Sequence, residues 1–186
     1  LKFFFSNIDI SNAMRMRDII TIQKGKKPSK LVNSDDLNED NREYGYKYLD
    51  AKYLRSKDLS HRVPSNSGSK LVHIKDEDII ILWDGDVGDV FTGENGILCS
   101  TMAKILIKEK NILPKYLFNF LRFASTEIKR CAVGTTIKHV DPDVFSKLLI
   151  PKISLEEQSK IVKSFHTNHM ANLALENRLD LNKALN

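Results

Sequence analysis

The chain has 186 residues, with 29 Lys and Arg against 24 Asp and Glu, giving a formal net charge of +5. That length holds one domain of ordinary size plus an appendage. A hydrophobic content of 41% is enough to build a core and excludes disorder of the whole chain. The modest basic balance points toward a polyanionic partner such as nucleic acid. The longest fully apolar run, Ile79 to Trp83, falls far short of the roughly 20 residues a membrane helix needs, so no membrane partner is expected. Residues Leu1 to Ser6 hold no long apolar stretch, and no secretory leader is read there. Cys99 and Cys131 do not make a disulfide framework; two reduced thiols in a cytoplasmic protein are expected.

In chain order, Arg15 to Gln23 reads as a short strand or the start of a helix. A polar turn follows, Lys24-Gly25-Lys26-Lys27-Pro28-Ser29-Lys30, and then an acidic, solvated loop from Asp35 to Glu43. Lys24, Lys26, Lys27 and Lys30 on a flexible turn suit phosphate neutralisation without sequence readout. A second cluster interleaves aromatics with cations: Tyr44, Tyr46, Lys47, Tyr48, Lys52, Tyr53, Arg55 and Lys57. Its members suit contacts to sugar or base edges, or else the tyrosines are core and the lysines solubilising.

Two strand signals, Leu71 to Ile74 and Ile79 to Leu82, flank the turn Lys75 to Asp78; the second is apolar on both faces, as in a buried strand. A strand pair is expected between Gly96 and Ile107. Pro114 opens a helix to about Cys131, with Leu117, Phe120, Leu121, Ala124, Ile128 and Cys131 on one face and Gly134 as its stop. Asp141 caps a short helix starting at Pro142, and Leu148 to Ile150 form a last strand closed by Pro151.

Ser154-Leu155-Glu156-Glu157 is a capping box, and no Pro or Gly follows it to Asn186. A helix of about 30 residues would be about 45 Å long, more than one compact domain needs. Ile161, Phe165, Leu175 and Leu179 fall on one seam, interrupted by Asn168 and Asn172, which is the spacing of a coiled coil or bundle. These residues are the candidate partner interface; the alternative is a helix folded back on its own domain.

Motifs of catalysis are missing from the sequence. An amino-methyltransferase tetrapeptide is absent, Asp141-Pro142-Asp143-Val144 being the nearest approach. Gly25-Lys26-Lys27 is not a P-loop, and Pro142-Asp143 lacks the downstream acidic-x-Lys of a nuclease. Asp84-Gly85-Asp86-Val87-Gly88-Asp89 lacks the Gly and Glu of a calcium loop. The five histidines, at 61, 73, 139, 166 and 169, show no zinc spacing with the cysteines, so no metal site is expected.

Four stretches together resemble the specificity subunit of type I restriction-modification systems. They are Arg17 to Pro28, Ile79 to Gly88, Gly134 to Val140, and Leu149 to Val162. Each is unspecific alone; their order and spacing carry the resemblance. It implies an α/β (α+β) target recognition domain with a mixed, twisted sheet over residues 1–152, then one long coiled-coil helix over 153–186. It also implies double-stranded DNA as ligand and no catalytic residues in the chain. The implied partners are a methyltransferase subunit that binds S-adenosylmethionine and methylates adenine, and a nuclease/translocase subunit. Family members usually hold two recognition domains and this chain has one, which implies a homodimer or a missing second half. On that reading the DNA-binding set is Lys24, Lys26, Lys27, Lys30, Tyr46, Lys47, Tyr48, Lys52, Arg55, Thr135, Thr136, Lys138 and His139. The competing readings are a specificity module of another methyltransferase or restriction class, a catalytic methyltransferase or nuclease chain, and a structural adaptor.

Overall fold

A computed structural model describes residues 12–36, 45–65 and 70–167 of the chain. The elements begin with β1 (Ala13–Arg15), α1 (Met16–Ile19), β2 (Ile20–Lys24), β3 (Val32–Asn33) and a 3-10 turn (Ser34–Asp36). Next come β4 (Tyr46–Leu49), α2 (Ala51–Ser56), β5 (His61–Val63), β6 (His73–Ile74) and β7 (Ile79–Leu82). Then follow β8 (Val90–Thr92), β9 (Gly96–Leu98), β10 (Met102–Ile107), α3 (Pro114–Phe123) and α4 (Ser125–Arg130). The chain continues through β11 (Ala132–Val133), β12 (His139–Val140), α5 (Pro142–Ser146) and β13 (Leu149–Pro151). A last helix, α6, runs over residues 155–167 and is described no further.

The all-apolar sequence of β7 explains the architecture. Successive strand side chains point to opposite faces. Ile79 and Ile81 therefore enter one core, while Ile80 and Leu82 enter another. β7 is central in an antiparallel sheet of order β2-β10-β7-β8, which separates the two cores. The first core packs that sheet against α3, α4 and α5, with Tyr116, Leu117, Leu121 and Ile128 fully buried. The second core lies toward a five-stranded mixed sheet, order β3-β5-β4-β9-β6, in which β4 and β9 are parallel.

Several expectations need correction. Gly96 to Ile107 holds two strands, but they do not pair. β9 belongs to the mixed sheet and β10 to the antiparallel one, with Cys99–Thr101 turning the chain between them. β6 and β7 likewise lie in different sheets. Arg15 to Gln23, expected as a strand or a helix start, holds both in turn: the four-residue helix Met16–Ile19 and then most of β2. The helix expected from Pro114 to Cys131 breaks at Ala124, whose ψ of 5° leaves the helical range. Both pieces keep the predicted apolar face on the core. Gly134 does not stop that helix; it takes φ +103° in the β11–β12 hairpin, where a Cβ would lie 2.4 Å from the Ile137 carbonyl oxygen. The cap at Asp141 is formed, its carboxylate accepting from the Asp143 and Val144 amides.

The capping box is also formed: the Ser154 amide and hydroxyl donate to Glu157 Oε2, and the Glu157 amide donates to Ser154 Oγ. One turn later, Gln158 is fully buried. Its Oε1 accepts from the Leu113 amide at 2.8 Å, and its Nε2 donates to the carbonyls of Asn111 and Ile153. Ile161, Val162 and Phe165 pack against the first core. Two of the expected partner-interface residues, Ile161 and Phe165, thus contact the domain's own core, because Gln158 holds the first turns of α6 against the start of α3. Leu175, Leu179 and the rest of the expected coiled coil lie outside the described residues. Among the described residues, no helix is long and apolar enough to cross a membrane.

Candidate nucleic-acid interface

The polar turn after β2 is anchored by backbone. Gly25 donates its amide to the Met102 carbonyl at 2.9 Å, and a Cβ on Gly25 would meet the Cys99 carbonyl oxygen at 2.0 Å. Pro28 is buried, so the turn is pinned at both places. Lys26, Lys27 and Lys30 between and beyond these pins are exposed, and among the described residues none has an ion pair. Lys24 differs: its Nζ lies 2.8 Å from Asp84 Oδ2.

The aromatic and cationic cluster has another character. Asp50 caps α2 by accepting from the Tyr53 amide, which turns Tyr53 and Leu54 inward and leaves Lys52 and Arg55 exposed. Tyr48 is 8% exposed and belongs to the second core, where burial pushes its hydroxyl pKa up. So buried, it does not present a surface to DNA, whereas Lys47 is half-buried and keeps its ammonium among polar partners. Lys47 Nζ donates to Tyr53 Oη at 2.9 Å and to Glu94 at 3.1 Å, and Tyr53 donates to the same carboxylate. Lys57 also pairs with Glu94. Donation from Lys57, then from Tyr53, holds the Glu94 carboxyl down at about 2. Lys52 pairs with Asp58 at 2.6 Å, and Arg55 with Asp89 and Asp86. Tyr46 remains exposed, its ring edge-on to His73 with centroids 4.9 Å apart.

The third group sits on the tip of the β11–β12 hairpin. Thr135, Thr136, Ile137, Lys138 and His139 are all exposed, Ile137 at 68%. The hairpin is tied to the loop after β7. Gly85 donates its amide to the Lys138 carbonyl at 2.8 Å, Val140 donates to the Trp83 carbonyl, and Asp84 bridges to His139. Two of the resembling stretches, 79–88 and 134–140, are therefore neighbours in space. The Lys24–Asp84 pair brings in a third, and β1–β13 pairing joins the chain's start to the fourth. Sequence reasoning missed Lys129, whose Nζ lies 3.9 Å from Asp89. On the outer side of α4, nothing in the sequence sets it apart from any solubilising lysine.

An α/β domain whose cationic turn after β2 and exposed hairpin tip both meet the loop after β7 is the class this geometry defines. Residues 11–184 match the type I restriction modification DNA specificity domain, and the chain belongs to that family. It is 38% identical over 151 residues to the type I restriction enzyme MjaVIII specificity subunit of Methanocaldococcus jannaschii, covering 81% of this chain and 34% of that protein. The chain thus spans about a third of the length of that relative. The fold is similar to a type I restriction-modification S subunit from M. genitalium, at TM-score 0.60 and 18% identity, covering 92% of this chain and 43% of that one. It is also similar to the HsdS subunit from Thermoanaerobacter tengcongensis, at TM-score 0.66 and 17% identity, covering 92% and 41%.

Proposed function

We propose that this chain is a DNA target recognition module of a type I restriction-modification complex, itself without catalysis. It reads one part of a bipartite site in double-stranded DNA. A methyltransferase subunit carrying S-adenosylmethionine then methylates adenine there, and a nuclease/translocase subunit restricts unmodified DNA. The observation that carries the reading is the family match over nearly the whole chain. The convergence of the cationic turn, the loop after β7 and the Thr135–His139 tip on one region supports it. In this reading Lys26, Lys27 and Lys30 bind phosphate, and Tyr46, Thr135, Thr136, Lys138 and His139 lie nearest the bases. Leu175 and Leu179 belong to a helical seam that joins a second copy or a second recognition half, and the complex works in the cytoplasm.

The test is co-expression with a type I methyltransferase subunit, followed by mapping of methylated adenines. Methylation confined to one bipartite sequence, and lost without this chain, is the expected result. Methyl transfer by the isolated chain would instead make it an enzyme. Changing Leu175 and Leu179 to Asp should abolish association while the remainder stays folded, because burying unpaired charge is costly; light scattering reads the mass.

A further inference from the structure

A cleft of about 360 Å³ opens between Arg55 of α2, the loop at residues 85–89, Lys129 of α4 and Lys138 of the hairpin tip. Its walls hold three cations and two carboxylates, Asp86 and Asp89. The carboxylates differ. Asp89, 32% exposed, takes Nε and Nη2 of Arg55 and faces Lys129, so it orients the guanidinium. Asp86 is 84% exposed and stands 3.5 Å from the remaining nitrogen, Nη1. It is carried between Gly85 and Gly88, both at positive φ, and a Cβ on Gly85 would meet nothing within 4 Å. Asp86 is therefore a loosely held acid at the mouth, and exposed ion pairs of this kind contribute little.

With Nη2 committed to Asp89, Arg55 lacks the free fork that reads guanine through two acceptors. One outward nitrogen beside Lys129 and Lys138 suits the oxygens of a phosphate. Among the described residues, Lys138 has no ion pair of its own.

We propose that this cleft takes a backbone phosphate of duplex DNA and that Asp86 is the counter-charge the phosphate displaces. Asp86 then taxes binding to DNA of every sequence, leaving discrimination to contacts elsewhere. The inference rests on the DNA-reading function proposed above.

The experiment measures binding of the full chain to a fluorescent duplex of arbitrary sequence by anisotropy, across a salt series. D86N should tighten binding by about three- to tenfold near 0.1 M salt, since a mobile competitor is removed from a phosphate contact. E77Q makes the same charge change at the opposite end of β7 and should move affinity less than about twofold. In D86N with R55A the gain should vanish. Equal effects of D86N and E77Q, or a D86N gain that survives R55A, overturn the cleft while leaving the DNA reading intact. If neither the wild-type chain nor any variant binds duplex even at low salt, the DNA reading falls and the cleft with it.

Discussion

The two cationic segments of the first sixty residues look alike as sequence and differ as structure. On the turn after β2, Lys26, Lys27 and Lys30 are exposed and, among the described residues, unpaired. In the 47–57 segment every one of Lys47, Lys52, Arg55 and Lys57 faces a carboxylate. A phosphate reaching the first set would displace only counterions. The second must first give up a partner. Local charge density is thus a poor guide to where a polyanion docks; what counts is which cations the fold has already neutralised.

The sharpest way to break this contrast is to remove what holds the free lysines in place. Gly25→Ala puts a methyl 2.0 Å from the backbone oxygen of Cys99, an atom that cannot swing aside. A loss of about 3 kcal/mol is expected, from overpacking against rigid backbone, and denaturant unfolding measures it. Gly88→Ala tests the acidic loop that neutralises Arg55 of the second set. Gly88 sits at φ +96°, with a Cβ meeting Lys129 Cγ and the Ser125 carbonyl at 3.0 Å. Here the expected loss is smaller, about 1–2 kcal/mol from backbone strain, since the contacts lie at 3.0 Å rather than 2.0 Å.

How much of this was legible beforehand depends on the range of the contact. The buried strand at Ile79–Leu82, the amphipathic face of Leu117–Cys131, the Asp141 cap and the Ser154–Glu157 box all rest on neighbours within a few residues, and all formed. The partners of Lys47, Lys57 and Arg55 in the second cluster were not legible. Glu94 lies 47 residues from Lys47, and Asp89 lies 34 from Arg55. Glu94 reaches Lys47 only because β4 runs beside β9, and Asp89 reaches Arg55 only through the loop that joins β7 to β8. For the same reason Tyr48 read as a candidate base contact when pairing with Ile97 makes it core. Gln158 gave no signal either, since its hydrogen bonds go to backbone at Asn111 and Leu113, far back in the chain.

A functional comparison follows. K26A/K27A removes two unpaired cations, so affinity should fall alike for all DNA sequences and the salt slope should flatten by about 2 units, one per lost contact. K47A should change the slope by less than about half a unit, because its charge is already met by Glu94. A changed methylation sequence in K26A/K27A would make those lysines base readers.

The smallest effect expected is a pH signature of the paired set. Glu94 gathers Lys57, Tyr53 and Lys47, and its carboxyl is held at about 2 against an ordinary 4.5. A folded-state pKa below the unfolded one means the folded protein resists protonation. The contribution is therefore fully present above pH 4.5 and fades as pH falls toward 2. E94Q keeps the shape and removes the charge. Wild type should be the more stable at neutral pH, and the two unfolding curves should converge as pH drops below 4.5. Because Lys47 and Lys57 are then released from their carboxylate, E94Q should also steepen the salt dependence of DNA binding slightly, moving the second segment toward the behaviour of the first. Urea melts at pH 7, 4 and 3, paired with one salt series, separate the two effects. A constant stability gap across that pH range would mean that Glu94 supports the fold through packing, and that the cations around it are held by something other than its charge.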